Sequence, residues 1–108
     1  MEKRRLTEAH LPPDILRDVE KAESILVHHG AQRVILYGSL ARGDYRPGSD
    51  IDLCVEGIPD HEYFRTVAEC LMEIDRPVSV IDLKDIEGYF KEVVLREGVV
   101  IYDQNDGF

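Results

Sequence analysis

Asp50 and Asp52 are the residues with the plainest capacity for chemistry. They stand two apart in "DIDLCVE", residues 50–56, where polar and aliphatic side chains alternate strictly. A period of two is the mark of a half-buried strand: it sends Asp50, Asp52, Cys54 and Glu56 to one side and Ile51, Leu53 and Val55 to the other. The two carboxylates then lie roughly 6 to 7 Å apart along the backbone and repel each other. A hard divalent cation relieves that repulsion, because Mg²⁺ prefers oxygen, takes one or two protein carboxylates and completes its shell with water and phosphate oxygens. The pair predicts a metal-bridged triphosphate.

A second feature points to the same ligand. Gly38-Ser39 follows the aliphatic run "RVILY" and opens "SLARG", which reads as a helical turn. Free backbone N–H groups at such a point favour an anion, a glycine lets phosphate come close, and the serine hydroxyl can donate. Ten residues separate Ser39 from Asp50, and Gly43, Pro47 and Gly48 within them suit a chain reversal that brings the acidic strand back beside the first. A plain strand-to-helix turn with Ser39 as its cap is the structural alternative, and the two roles are compatible.

The elements that must hold these residues are legible in outline. Polar residues 1–13 read as a loose arm, 14–103 as one domain and 104–108 as a polar tail. From Asp14, the residues Ile15, Val19, Ala22 and Leu26 recur at helical spacing, with His28 and His29 suited to the helix C-terminus and Gly30 as a stop. "RVILY" is a first strand and "DIDLCVE" a second. A second helix carries Phe64, Val67, Ala68, Leu71 and Met72 toward the core, with Asp60 as N-cap. "VSVIDL" after Pro77 is a third strand, a third helix carries Ile86, Phe90, Val93 and Val94 and closes at Gly98, and "VVIY" is a last strand. Alternating strands and helices predict an α/β (α+β) fold with a small mixed sheet, helices on its aliphatic face and the aspartate face open.

Bulk composition narrows the function. A chain of 108 residues suits one modest core, and 44% hydrophobic with 32% charged residues is ordinary for a globular domain. Net charge is −9, which argues against sequence-independent binding to duplex nucleic acid and fits nucleotide handling through a cation. No apolar run approaches the ~20 residues of a membrane span and no secretory signal is evident, so a cytoplasmic protein without membrane contact is expected. Cys54 and Cys70 are not spaced as a redox or metal motif, and reduced thiols are expected. A P-loop would need Gly-Lys-Ser/Thr, which is missing, and a calcium loop counted from Asp44 would place Arg46 at its third position.

The stretch "GSLARGDYRPGSDID" resembles the signature of the nucleotidyltransferase superfamily that includes DNA polymerase beta: Gly-Ser, ten residues, then Asp-x-Asp. With the preceding helix and the closing "REGVVIYD", nearly the whole chain from about Ile15 is similar to the minimal nucleotidyltransferases of bacteria and archaea. The resemblance implies that Gly38 and Ser39, with Arg42 and Ser49, bind the phosphates of an NTP. It also implies that Asp50 and Asp52 ligate Mg²⁺ and are catalytic. Such families add a third carboxylate from the next strand, but Ser79 occupies that position here, and Asp82 lies three residues on, facing the other way by strand alternation. Asp82 is a candidate third catalytic carboxylate, with helix capping as its alternative; Arg42 could contact phosphate or sit in an ion pair, and Arg46 reads as structural.

What the resemblance implies about activity is transfer of a nucleoside monophosphate, AMP from ATP, to an acceptor hydroxyl. A second domain to bind an acceptor is not expected, and the resemblance implies a separate partner, since minimal nucleotidyltransferases are commonly paired with a HEPN-domain protein, often an RNase toxin, neutralised by AMP on a tyrosine. The competing expectation is an antitoxin acting by contact alone, favoured by Ser79. An antibiotic-modifying enzyme would need a substrate-binding extension that this chain lacks.

Overall fold

The computed structural model describes residues 11–106. Four strands, β1 (Arg33–Tyr37), β2 (Ile51–Glu56), β3 (Val78–Asp82) and β4 (Val99–Asp103), and four helices, α1 (Pro13–His28), α2 (Ser39–Arg42), α3 (Asp60–Glu73) and α4 (Gly88–Glu97), follow one another along the chain. The sheet order is β3-β2-β1-β4, with β1 antiparallel to both β2 and β4, and β2 parallel to β3. The parallel pair requires a crossover, and α3 is that crossover. This is the mixed α/β architecture expected.

Side-chain parity assigns each face. Val34, Leu36, Ile51, Leu53, Val55 and Val78 pack on the larger core with Ile15, Val19, Ala22 and Leu26 of α1 and Cys70 of α3. Pro13 opens α1, where a missing N–H costs no hydrogen bond. Ile35, Cys54 and Val100 look the other way and pack with Leu83, just after β3, and with Val94 of α4. The second face is thus covered at its middle: Cys54 is fully buried, not aligned with solvent as the alternation predicts, while Asp50 and Glu56 toward the two ends of that alternation are exposed. Both cysteines are free and buried, and burial pushes each thiol up, Cys54 to about 12.

Three other expectations need correction. In α3 the inward residues are Thr66 and Cys70, while Phe64, Leu71 and Met72 are 88%, 62% and 85% exposed. Thr66 can be inside because its hydroxyl donates to the Glu62 carbonyl at 2.7 Å. Asp60 is the first residue of α3 with Pro59 at the cap, and its carboxylate pairs with Lys84. Helix α4 starts at Gly88, so Ile86 precedes it. Of the arm placed over 1–13, residues 1–10 lie outside the described residues, while Leu11 packs on the core. Of the tail placed over 104–108, Gln104–Asp106 form a 3₁₀ turn anchored by Gln104 N–H donating to Gln32 O at 3.0 Å. Among the described residues no helix is long and apolar enough to cross a membrane.

Candidate active site

Strand β1 ends at Tyr37, and Gly38 turns the chain with φ 75° and ψ −156° into α2. Ser39 is the first residue of that helix, and Gly43, left-handed at φ 93°, closes it by donating its N–H to the Ser39 carbonyl. Antiparallel pairing then sets Tyr37 opposite Asp52. A β-carbon on Gly38 would lie 2.4 Å from Asp52 Oδ2, so the carboxylate occupies the space that a side chain at the turn would fill. The glycine turn and the acidic strand are one site.

Electrostatics agree with the geometry. Burial first, then the charge of Asp50, hold the Asp52 carboxyl above its ordinary value, and Arg42 partly offsets them. The two acids therefore sense each other, the unfavourable arrangement that a divalent cation relieves. Among the described residues no group of three or more His, Cys, Asp or Glu could hold a metal unaided. A two-carboxylate site that leaves coordination positions to phosphate and water matches the donor set Mg²⁺ takes with a nucleotide.

The remaining candidates divide. Arg42 feels Asp52, but its Nε donates to Asp44 Oδ2 at 3.3 Å and its Nη1 lies 4.0 Å from Glu97 Oε1. Ser49 Oγ accepts the Arg46 N–H at 2.8 Å and closes the turn that delivers Asp50. Ser79 pairs in register with Asp52 and is hydrogen-bonded with Tyr37. Asp82 is not brought to the site: it pairs with Val55, three residues further along β2, and parity turns it to the opposite face. There it is 5% exposed and caps the 3₁₀ turn Leu83–Asp85, accepting the Lys84 N–H at 3.0 Å. Strand spacing puts about 10 Å between the Val55 rung and Asp52.

Three residues of the neighbourhood had no local signal in the sequence. Tyr37 floors the site beside Asp52, with its phenol pushed up to about 12 by burial first and then by Asp52. Phe90 of α4 meets that ring edge-on, with centroids 6.0 Å apart. Arg76, 11% exposed, donates from Nη1 to the carbonyls of Pro47 (2.7 Å) and Ser49 (3.1 Å). Only a known strand register would have placed them.

Comparison with known proteins points the same way. The family model described as "Polymerase beta, Nucleotidyltransferase" matches residues 20–107. A Methanocaldococcus jannaschii protein named as a putative protein adenylyltransferase is 37% identical over 78 residues, covering 66% of this chain and 78% of that protein. The solved structure of a putative minimal nucleotidyltransferase superposes with a TM-score of 0.66 at 30% identity, covering 83% of this chain and 96% of that one. A toxin–antitoxin structure with AMP-PNP shares the fold, with a TM-score of 0.65 at 21% identity over 83% of this chain and 75% of that chain.

Proposed function

Because the chain belongs to the polymerase beta type nucleotidyltransferase family, we propose that this nucleotidyltransferase moves AMP from ATP onto a hydroxyl of a protein. The proposed acceptor is a tyrosine of a HEPN-type toxin, which makes the chain an antitoxin. The observation that carries the reading is the contact between Gly38 and the Asp52 carboxylate, since it joins a phosphate-accessible turn to an acid pair. The names of the similar proteins support the protein acceptor and the toxin partner.

In this reading the Gly38-Ser39 turn receives the β and γ phosphates, the glycine by allowing close approach and Ser39 by donating. Asp50 and Asp52 would hold Mg²⁺, which when bound supplies charge neutralisation for the triphosphate. The acceptor oxygen forms a bond to the α-phosphorus as the bond from that phosphorus to the bridging oxygen breaks, releasing pyrophosphate and the hydroxyl proton. Tyr37 lies opposite Asp52 on β1, with the Phe90 ring of α4 edge-on against it, and forms part of the wall of the site.

A second reading, inhibition of the partner by contact, is favoured by one observation: Ser79 stands in register beside Asp52 where a third carboxylate would complete the site. The test is incubation with Mg²⁺, α-labelled ATP and a HEPN-domain partner, for the native chain and for Asp50→Asn/Asp52→Asn. Label on the partner that requires both aspartates is the expected result. Equal inhibition of the partner by both forms, without label, replaces the enzyme with the binding protein.

A further inference from the structure

Asp50 is the less secured member of the acid pair. It is exposed and precedes β2, where the rungs to β1 end at Asp52 with Tyr37 and the rungs to β3 end at Ile51 with Val78, so Asp50 itself belongs to neither ladder. Its two flanking peptide groups are fixed from elsewhere. The Ser49 carbonyl accepts Arg76 Nη1 at 3.1 Å, and the Ile51 N–H donates to the Pro77 carbonyl at 2.9 Å. Arg76 Nη1 also holds the Pro47 carbonyl at 2.7 Å. The guanidinium is itself anchored on α1, with Nε at 3.2 Å from Asp18 Oδ2 and Nη2 at 3.8 Å from Asp14 Oδ2.

From this geometry we propose that Arg76 is the positioning residue for Asp50, and that it sets the divalent-cation affinity of the site without touching cation or nucleotide. The proposal rests on the reading of Asp50 and Asp52 as metal ligands. A guanidinium suits the task because its rigid planar fork serves carbonyls and a carboxylate at once, whereas a lysine ammonium is a point charge on a flexible stem. The guanidinium is 11% exposed and Asp18 is half-buried, whereas Asp14 and the Pro47 contact are open to water, so the Asp18 pair and the Ser49 carbonyl are the better shielded of its contacts. Losing such a support around a metal ligand weakens affinity by about 10- to 100-fold.

The test is titration of the full chain with Mn²⁺ alone, followed by electron paramagnetic resonance, for the native protein, Asp50→Asn, Asp52→Asn, Arg76→Lys and Asp18→Asn, with circular dichroism reporting folding. The expected result is one Mn²⁺ site that needs both aspartates, and a folded Arg76→Lys that binds about tenfold more weakly or worse. Asp18→Asn, which leaves the loop carbonyls and Arg76 in place, should weaken binding by a smaller factor, and it decides the matter if Arg76→Lys does not fold. A folded Arg76→Lys, or failing that a folded Asp18→Asn, with native Mn²⁺ affinity overturns the role of Arg76 while sparing the metal site. Absence of any aspartate-dependent Mn²⁺ binding in the native chain overturns both.

Discussion

Gly38 holds a backbone conformation, φ 75° with ψ −156°, that essentially glycine alone visits, and it does so against the Asp52 carboxylate. Gly38→Ala should cost about 1–3 kcal/mol in urea denaturation. By displacing Oδ2 it should also lower nucleotidyl transfer about 100-fold. Asp52 gives a prediction of opposite sign. Its folded value is raised above that of the unfolded chain by burial and by Asp50, so the folded state keeps its proton to higher pH. The penalty is fully present above the folded value and fades as pH falls through it. Asp52→Asn should therefore raise the melting temperature at pH 7 by a few degrees while abolishing transfer. In the metal-free chain the Asp52 carboxyl is held above its ordinary value, so cation binding should weaken on acidification, as protons compete for the same oxygens. This part of the site was legible because two aspartates in strict alternation and a Gly-Ser after an aliphatic strand are local patterns. Arg76 was not, because its partners Asp18, Pro47 and Ser49 are far away in the chain.

At the scale of elements, hydrophobicity identified each strand and helix but misoriented α3. Phe64, Leu71 and Met72 form a convincing stripe, yet the helix turns Thr66, Cys70 and the adjoining Ile74 inward. Replacing Phe64 and Met72 together by serine should change stability by less than about 0.5 kcal/mol per site, because both side chains already stand in water. Ile74→Ala, a buried truncation, should cost about 2–5 kcal/mol in the same urea titration. The α1–α3 contact carries a titratable bridge that spacing could not reveal. His29, at 10% exposure, lies 2.8 Å from Glu69 Oε1 through Nε2 and 3.4 Å from Glu62 Oε1 through Nδ1. The Glu69 hydrogen bond raises its value above 6.5, against desolvation, with Glu62 adding to the rise. The stabilisation is fully present below pH 6.5 and is lost as pH rises through the folded value. The melting temperature of the native chain should exceed that of His29→Gln clearly at pH 6, and the gap should narrow by pH 9. Asp82 shows the same limit: its strand was readable, but its rung against Val55 depends on a parallel register.

Over the whole molecule, a net charge of −9 makes the folded state repel itself, and local ion pairs such as Arg33 with Glu56 and Arg76 with Asp18 offset only part of this. Added NaCl shortens the reach of that repulsion to about 8 Å at physiological ionic strength. The melting temperature should rise by a few degrees between 10 and 200 mM NaCl, measured by calorimetry. The architecture also orders events in time. Pro77, whose carbonyl holds Ile51, opens the approach to β3, and β3 reaches β2 only after α3 has been laid across the sheet. On the proposed reading of Asp50 and Asp52 as cation ligands, the order of residues along the chain means that the support for the outer ligand is encoded after both ligands themselves.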